Sequence, residues 1–371
     1  MIDNKQNQKV SICQTSVHLS NLGWNSYFEN CVKGIKEKQG FPARIVEVQK
    51  NYFFISNGQT ESLVSVSGRL IHDKESLFPV IGDWVMVHKN MITIVLPRKN
   101  TLSRGAAGAR GDQDKYSKKA QVIAANLDTI FIVCGLDRDF NIRRIERCLT
   151  LVYNCGLTPV IVLTKADLNP DPDDCAGRVE SVVFNVPVHT VSSIDKNGFA
   201  CLKSYLSPGR TIALIGSSGA GKSTLVNSLS GKDIQATGSV SERIGKGMHV
   251  TTARSLIQMP RGGMIIDNPG IREIALWNDD AGLDDSFPDI EELSQGCKFS
   301  DCTHTQEPGC RVLDAVDTGE IGLARLNNYL KLKRELSYLS QRQHKSADRV
   351  EKERWQYVAL KIKAMRHGPK L

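Results

Sequence analysis

The 371-residue chain has no run approaching eighteen consecutive apolar residues, so a membrane-spanning helix is not expected. Its opening, MIDNKQNQKVSICQTS, lacks the basic and then apolar profile of a secretion signal, which makes the cytoplasm the expected compartment. No internal repeat is found. Of the ten cysteines, Cys13, Cys31, Cys134, Cys148, Cys155, Cys175 and Cys201 have no partner at any metal-ligand spacing. Several of these sit inside apolar runs and read as buried core thiols. At 40% hydrophobic and 24% charged, the composition is that of a globular protein with real cores, and the length suggests two to three domains.

Charge is uneven. The net +8 resides in the segment from Lys331 to Leu371, which holds twelve Lys or Arg against four Asp or Glu. The rest of the chain is neutral. Such a tail is either a solvated helical face or a surface for a polyanion such as RNA. Trp355 and Tyr357 lie within it and either pack on the helical module or stack on bases.

The pattern divides the chain into five segments. Residues 1–40 are a polar extension. Residues 41–100 hold about five short β-rich runs between Gly, Asn and Asp turns, which fits a small OB-fold barrel or a plain structural one. Residues 101–125 lie in a basic stretch without periodicity, read as a linker. Residues 126–277 alternate apolar strands with helices, the pattern of a parallel sheet covered on both faces. Within it, Ile142, Ile145, Leu149 and Val152 have helical spacing. Residues 278–371 are an acidic loop, a Cys/His group and helical sequence.

The string GSSGAGKST follows an apolar strand, TIALI, and precedes a helix. Gly216, Ser217, Ser218, Gly219, Ala220, Gly221, Lys222, Ser223 and Thr224 satisfy the phosphate-loop spacing. Glycines let backbone N–H groups wrap phosphates, and the helix N-terminus adds positive potential. Lys222 would neutralise β- and γ-phosphates, Ser223 would ligate Mg²⁺ and Thr224 would donate to the α-phosphate. Downstream, GMIIDNPG ends a strand in Asp267, with Gly270 three residues on. This is the pattern in which a carboxylate holds Mg²⁺ through water and a glycine N–H senses the γ-phosphate.

Thr164, Lys165, Ala166 and Asp167 form TKAD at the end of another strand. The Asp167 carboxylate can accept from guanine N1–H and the 2-amino group, whereas adenine would leave it unpaired. The Lys165 stem can lie across the base. Ser192 and Ser193 end the next strand, where a backbone N–H could meet guanine O6. The base-reading string precedes the phosphate loop, the reverse of the usual order. A parallel sheet brings all its C-terminal strand ends to one edge, so the site tolerates this circular permutation.

Cys297, Cys302, His304 and Cys310 have the spacing C-x(4)-C-x-H-x(5)-C. Three thiolates and an imidazole fill a tetrahedral shell, which points to one structural Zn²⁺.

The permuted order of TKAD, SS, GSSGAGKST and DNPG, the junction strings LPRKNTLSR and AANLDTIFIV, and CKFSDCTHTQEPGC together resemble the ribosome small subunit-dependent GTPase A (RsgA) family over nearly the whole chain. The resemblance implies an OB domain, a permuted GTPase domain and a zinc-containing domain. It implies hydrolysis of GTP to GDP stimulated by the small (30S) ribosomal subunit, action late in that subunit's maturation, and contact with its 16S rRNA. A monomer without membrane attachment is expected. Ile271 stands where many GTPases place a water-orienting Gln, so intrinsic turnover should be slow. His249 resembles the family's replacement for that Gln, against the alternative of a solvent-exposed loop histidine. Thr164 occupies a position that the family fills with Asn or Thr, Asn268 replaces a more usual Thr, and Val250 a third threonine. Thr251 is favoured over Thr252 as the switch threonine on Mg²⁺. Two other readings remain at this level: an RNA-binding scaffold with a regulatory nucleotide site, and an ATP-dependent P-loop enzyme, against which TKAD argues.

Overall fold

Alternating apolar residues between turn signals form five strands in the first third of the chain: β1 Phe41–Val48, β2 Phe53–Ser56, β3 Glu61–Val66, β4 Trp84–His88 and β5 Met91–Val95. The computed structural model describes residues 18–35, 40–49, 52–72, 77–104, 121–232, 254–267 and 281–344. These fall into two compact units, one before residue 275 and one after it. In the first, β1 pairs antiparallel with β2 and with β4, β2 with β3, and β4 with β5, while β3 pairs parallel with β5. That ring of pairings closes an OB-like barrel. Its core holds Ala43, Ile45, Phe53, Ile55, Val64 and Ile92, all buried. The β4–β5 hairpin turns on Lys89 and Asn90, both at positive φ (49° and 59°), which is the twist a two-residue hairpin loop needs.

The stretch read as a linker carries strands at both ends. β6 Thr101–Arg104 pairs antiparallel with β7 Gln121–Ala125. The period-2 pattern there is too short to stand out of the basic composition.

Six more strands follow: β8 Thr129–Gly135, β9 Pro159–Thr164, β10 Val188–Thr190, β11 Thr211–Ile215, β12 Arg254–Gln258 and β13 Met264–Asp267. Their order in space is β10-β9-β8-β11-β13-β12. The first five are parallel, as the apolar runs suggest. β12 is antiparallel to β13, because a tight turn joins them, with Met259 N–H on the Gly263 carbonyl at 2.7 Å. β12 also pairs with β1, so barrel and nucleotide-type sheet form one continuous eleven-stranded sheet. Sequence patterning divides the two into separate segments.

The helix Ile142–Asn154 starts on Asn141, whose side chain accepts from Arg144 N–H, and it buries Ile145, Leu149 and Val152. It is the helix that the apolar spacing predicts. Under the phosphate-loop helix, Phe131, Val133, Val160, Leu214, Leu225, Val226 and Ile265 form one apolar cluster.

At the joint of the first unit lies a fully buried cation. Arg44 of β1 is 1% exposed. It donates to the carbonyls of Gly82 (3.2 Å), Leu22 (2.5 Å) and Asn126 (3.1 Å), and its guanidinium lies 5.8 Å from the Trp84 ring centroid. Burial pushes its pKa down to about 10, so it stays charged at neutral pH. One side chain thus gathers the N-terminal segment, the barrel and the entry to β8.

The second unit is helical: Ala281–Ser286, Pro288–Ser294, Arg311–Asp317 and Leu323–His344. The first two occupy the stretch expected to be an acidic loop. Pro288 sits in the first turn with Asp289 and Glu291, where proline and acids favour a helix start. Arg325 grips Asp289 with two bonds (2.6 and 2.7 Å) and stacks on buried Phe287. No described helix is long and apolar enough to cross a membrane. His249, Val250, Thr251, Thr252, Asn268, Gly270, Ile271, Cys13, Trp355 and Tyr357, and most of the basic tail, lie outside the described residues.

Candidate functional site

Five parallel strands end at one edge, where the loops leaving β8, β9, β10 and β11 meet and where β13 ends. The phosphate loop leaves β11. At its first residue, Gly216, φ is +150° and a Cβ would come within 2.2 Å of the Val133 carbonyl oxygen, so only glycine fits between the two strands. The Lys222 ammonium donates to the carbonyls of Gly216 (2.8 Å) and Ser217 (2.5 Å), which curls the loop around its own lysine. Gly221, at φ +87°, caps the helix Lys222–Ser230. Ser218, Gly219 and Thr224 are exposed, and Ser223 is half-buried at the helix N-terminus, where N–H groups are unspent on the helix itself. Ala220 is buried in the apolar cluster below. Asp267 ends β13, one strand over; its backbone position is described and its side chain is not.

The TKAD loop leaves β9. The hydroxyl of buried Thr164 donates to the Ala220 carbonyl at 2.5 Å, joining the base-reading string to the phosphate loop. Lys165 takes φ +58°, turning the chain out of the strand, and Ala166 and Asp167 open a short 3₁₀ turn. The Ala166 N–H meets the Val191 carbonyl at 3.2 Å. Buried Ser192, just past β10, donates through Oγ to Asp167 Oδ1 at 2.8 Å and accepts from Asp195 N–H at 3.1 Å. One carboxylate oxygen of Asp167 is thereby fixed, and the side chain is exposed at the edge. Ser193 follows, half-buried.

Two acids that sequence reading did not single out also reach this edge, from the loop after β8. Asp137 Oδ2 lies 2.5 Å from the Lys165 ammonium. Asp139 accepts from the Ser217 hydroxyl of the phosphate loop and pairs with Arg144 at 2.6 Å. Burial pushes both carboxyls up, but hydrogen bonds, from Lys165 to Asp137 and from Arg144 and Ser217 to Asp139, outweigh it and hold both below the usual carboxylate range. The signal for them in the sequence is LDRDF directly after a strand of the same parallel set.

In the second unit, Cys297, Cys302, His304 and Cys310 place their ligand atoms within 4.8 Å of one another. Cys297 Sγ lies 3.8 Å from Cys310 Sγ, and His304 Nδ1 lies 3.7 and 3.4 Å from those two sulfurs. A zinc tetrahedron has edges of about 3.8 Å between thiolates and about 3.6 Å from thiolate to imidazole nitrogen, given Zn–S near 2.3 Å and Zn–N near 2.0–2.1 Å. The four residues therefore fit one Zn²⁺, with Nδ1 as the histidine ligand. Glu307 braces the loop between ligands, its carboxylate accepting from the N–H groups of Thr303 (3.2 Å), Thr305 (2.9 Å) and Gln306 (3.0 Å) on either side of His304, which is held at φ +56°. Burial pushes the Cys297 thiol up, yet the N–H groups of Val312 and Arg311 at a helix start bring it below its ordinary value.

Of the other cysteines among the described residues, Cys134, Cys148 and Cys175 are buried, Cys31 and Cys155 half-buried and Cys201 exposed. Burial pushes the Cys148 thiol up to about 12, which keeps it an inert core group.

A phosphate loop after β11, a guanine-type loop after β9 and an Asp ending β13, in permuted chain order, define a circularly permuted P-loop GTPase. The same architecture is found in the crystal structure of YjeQ from Thermotoga maritima, with a TM-score of 0.58 and 25% identity over 80% of this chain and 98% of that one. YloQ, described as a circularly permuted GTPase, aligns with a TM-score of 0.55 at 22% identity, over 81% of this chain and 96% of that one. The family model for the RsgA GTPase matches residues 95–277. Proteins named small ribosomal subunit biogenesis GTPase RsgA from Methanosarcina acetivorans and Opitutus terrae are 40% and 39% identical, covering 98% and 92% of this chain and 98% and 95% of their own lengths. The chain belongs to the RsgA family of GTP-hydrolysing enzymes.

Proposed function

We propose that this chain is a cytoplasmic, monomeric GTPase that binds the small ribosomal subunit through its 16S rRNA and acts in that subunit's biogenesis, hydrolysing GTP to GDP and phosphate. The observation that carries the reading is the meeting of TKAD, SS and GSSGAGKST at one sheet edge, in the permuted order, within a chain related along nearly its whole length to proteins named for small-subunit biogenesis.

In this reading the loop from Gly216 to Thr224 cradles the phosphates. Lys222 neutralises charge that builds on the β- and γ-phosphates. Asp167, oriented by Ser192, accepts from the guanine edge, and the Lys165 stem lies on the base face. The backbone at Ser193 meets guanine O6. Ser223, Thr251 and Asp267 are the residues that would hold Mg²⁺, which when bound neutralises the β- and γ-oxygens. Gly270 senses the γ-phosphate and His249 orients the attacking water. With Ile271 in the usual glutamine position, turnover is slow until the subunit completes the site. The OB-like barrel and the zinc unit provide the surfaces for RNA.

The test is hydrolysis of GTP by the purified full chain, with and without small ribosomal subunits, with ATP as control. The expected result is GTP-selective turnover that subunits stimulate by an order of magnitude or more, the scale on which activating partners act. Equal rates with and without subunits would sink the partner, and turnover of ATP at the GTP rate would sink the guanine reading.

A further inference from the structure

The base-reading loop has a brace outside its own motif. The loop after β8 clamps it at three points. Leu136 N–H bonds the Thr164 carbonyl at 2.8 Å, the Asn169 side-chain amide bonds the Leu136 carbonyl at 3.3 Å, and the Lys165 ammonium meets Asp137 Oδ2 at 2.5 Å. The third contact is the one that bears on a ligand. Lys165 is a long, flexible side chain on a residue that already points out of the sheet. Its stem passes Gly135, where a Cβ would stand 3.4 Å from Lys165 Cδ and 3.0 Å from Asp137 Oδ1. The carboxylate itself cannot swing freely, because its other oxygen accepts from Asp139 N–H at 3.0 Å. Lys165 is thus pinned at both ends, by its backbone turn and by Asp137, with its methylenes laid along the edge beside the end of β8.

We propose that Asp137 is a positioning residue for guanine recognition: its carboxylate holds the Lys165 stem in the posture that lies against the base. The proposal rests on the guanine reading above. Without Asp137, the ammonium is free to sample solvent and other acceptors, and the apolar stem must be ordered anew each time a nucleotide arrives. Asp137 touches neither base nor phosphate in this account, so its removal acts on affinity and spares the chemical step.

The experiment measures GDP and GTP affinity of the full chain by displacement of a fluorescent GDP, with ADP as competitor control, for Asp137→Ala, Asp137→Asn, Lys165→Ala and the double variant Asp137→Ala/Lys165→Ala. Thermal melting of each variant checks folding. Asp137→Ala should weaken GDP binding about three- to tenfold, the scale of a partly exposed charge pair with ordering of a long side chain. Asp137→Asn, which keeps the acceptor for Asp139 N–H but loses the charge, should fall between Asp137→Ala and the parent. The double variant should bind no more weakly than Lys165→Ala alone. In turnover, Asp137→Ala should raise KM for GTP while leaving kcat at saturating GTP within about twofold. If Lys165→Ala weakens binding and Asp137→Ala does not, or if the two losses multiply in the double variant, Asp137 does not act through Lys165 and the proposal falls alone. If Lys165→Ala binds GDP like the parent, or ADP displaces the probe as well as GDP, the guanine reading falls and takes the proposal with it.

Discussion

The two units solve the problem of holding a site together by different means. In the first, long-range strand pairing and a broad apolar core bring the loops after β8, β9, β10 and β11 to one edge, with the buried Arg44 at the joint. In the second, all four candidate metal ligands lie between Cys297 and Cys310, and the described core is a modest set around Phe287, Ile290, Val312, Leu326 and Tyr329. A Zn²⁺ held by those four ligands would tie that short stretch into one piece. The described loops of the nucleotide edge are instead set by the sheet. One chain thus carries a site whose geometry is global and another whose geometry is local, and each should fail independently of the other.

The largest effect expected from that contrast is on the local site. Cys310→Ser, or removal of zinc with a strong chelator, should abolish metal binding and unfold the helical unit, since structural zinc contributes on the order of 10 kcal/mol to such modules. Zinc content by elemental analysis and protease sensitivity after residue 280 would report it. GDP affinity should stay within about threefold of the parent, as the first unit folds on its own core. Loss of nucleotide binding together with the metal would erase the distinction between the units.

The converse break is at Arg44. Arg44→Ala removes a buried side chain and leaves the Leu22 and Asn126 carbonyls without this donor, while Gly82 keeps the Asn126 side-chain amide at 3.1 Å, a loss of about 3–5 kcal/mol by the cost of cavities and unsatisfied groups. Urea unfolding followed by intrinsic Trp fluorescence measures it, with Trp24 and Trp84 close to the guanidinium's pocket. Zinc content should not change. A loss under about 1 kcal/mol would mean that the joint is held by strand pairing alone.

A third change stays within the nucleotide edge. In the proposed guanine site, Asp167→Asn would put an amide where the carboxylate accepts two donors, and one amide hydrogen would face guanine N–H. GTP affinity should fall by about 30- to 100-fold, the equivalent of about 2–3 kcal/mol, with the melting temperature unchanged. An unaltered GTP affinity would remove Asp167 from base reading.

The same contrast governs what could be read from the chain. The zinc ligands and the phosphate loop are each one string, so type and spacing carry their chemistry without knowledge of the fold. TKAD is also one string, but its meaning depends on its strand lying in the same sheet as TIALI, and alternation of strands and helices was enough to suggest this. The barrel's five strands were legible from turn residues. Other features were not. The β1–β12 pairing that fuses barrel and sheet joins residues more than two hundred positions apart, and no local pattern records it. β12 itself sits beside a long polar segment and shows too few alternating residues. Asp137 and Asp139 look like ordinary loop acids, because what makes them matter is the partner across the edge, Lys165 for one and Ser217 for the other.

Thr164 tests the finest version of the comparison, whether the base loop and the phosphate loop work as one piece. The family fills this position with Asn or Thr, and the shorter threonine raises the question of affinity. In the structure its hydroxyl already spans to the Ala220 carbonyl at 2.5 Å and lies 3.4 Å from the Cys134 carbonyl, so the shorter side chain reaches the phosphate loop. Thr164→Val is nearly isosteric and removes only the donor, leaving a buried carbonyl less well satisfied. GTP and GDP affinity should both fall by about fivefold, the equivalent of about 1 kcal/mol, and by the same factor, because the bond ties loop to loop and does not touch the γ-phosphate. Thr164→Ser keeps the hydroxyl and should retain most of the affinity. If Thr164→Val loses GTP affinity but keeps GDP affinity, the tie would act through the γ-phosphate end of the loop, and the two loops would not move as the single body that the Thr164–Ala220 bond implies.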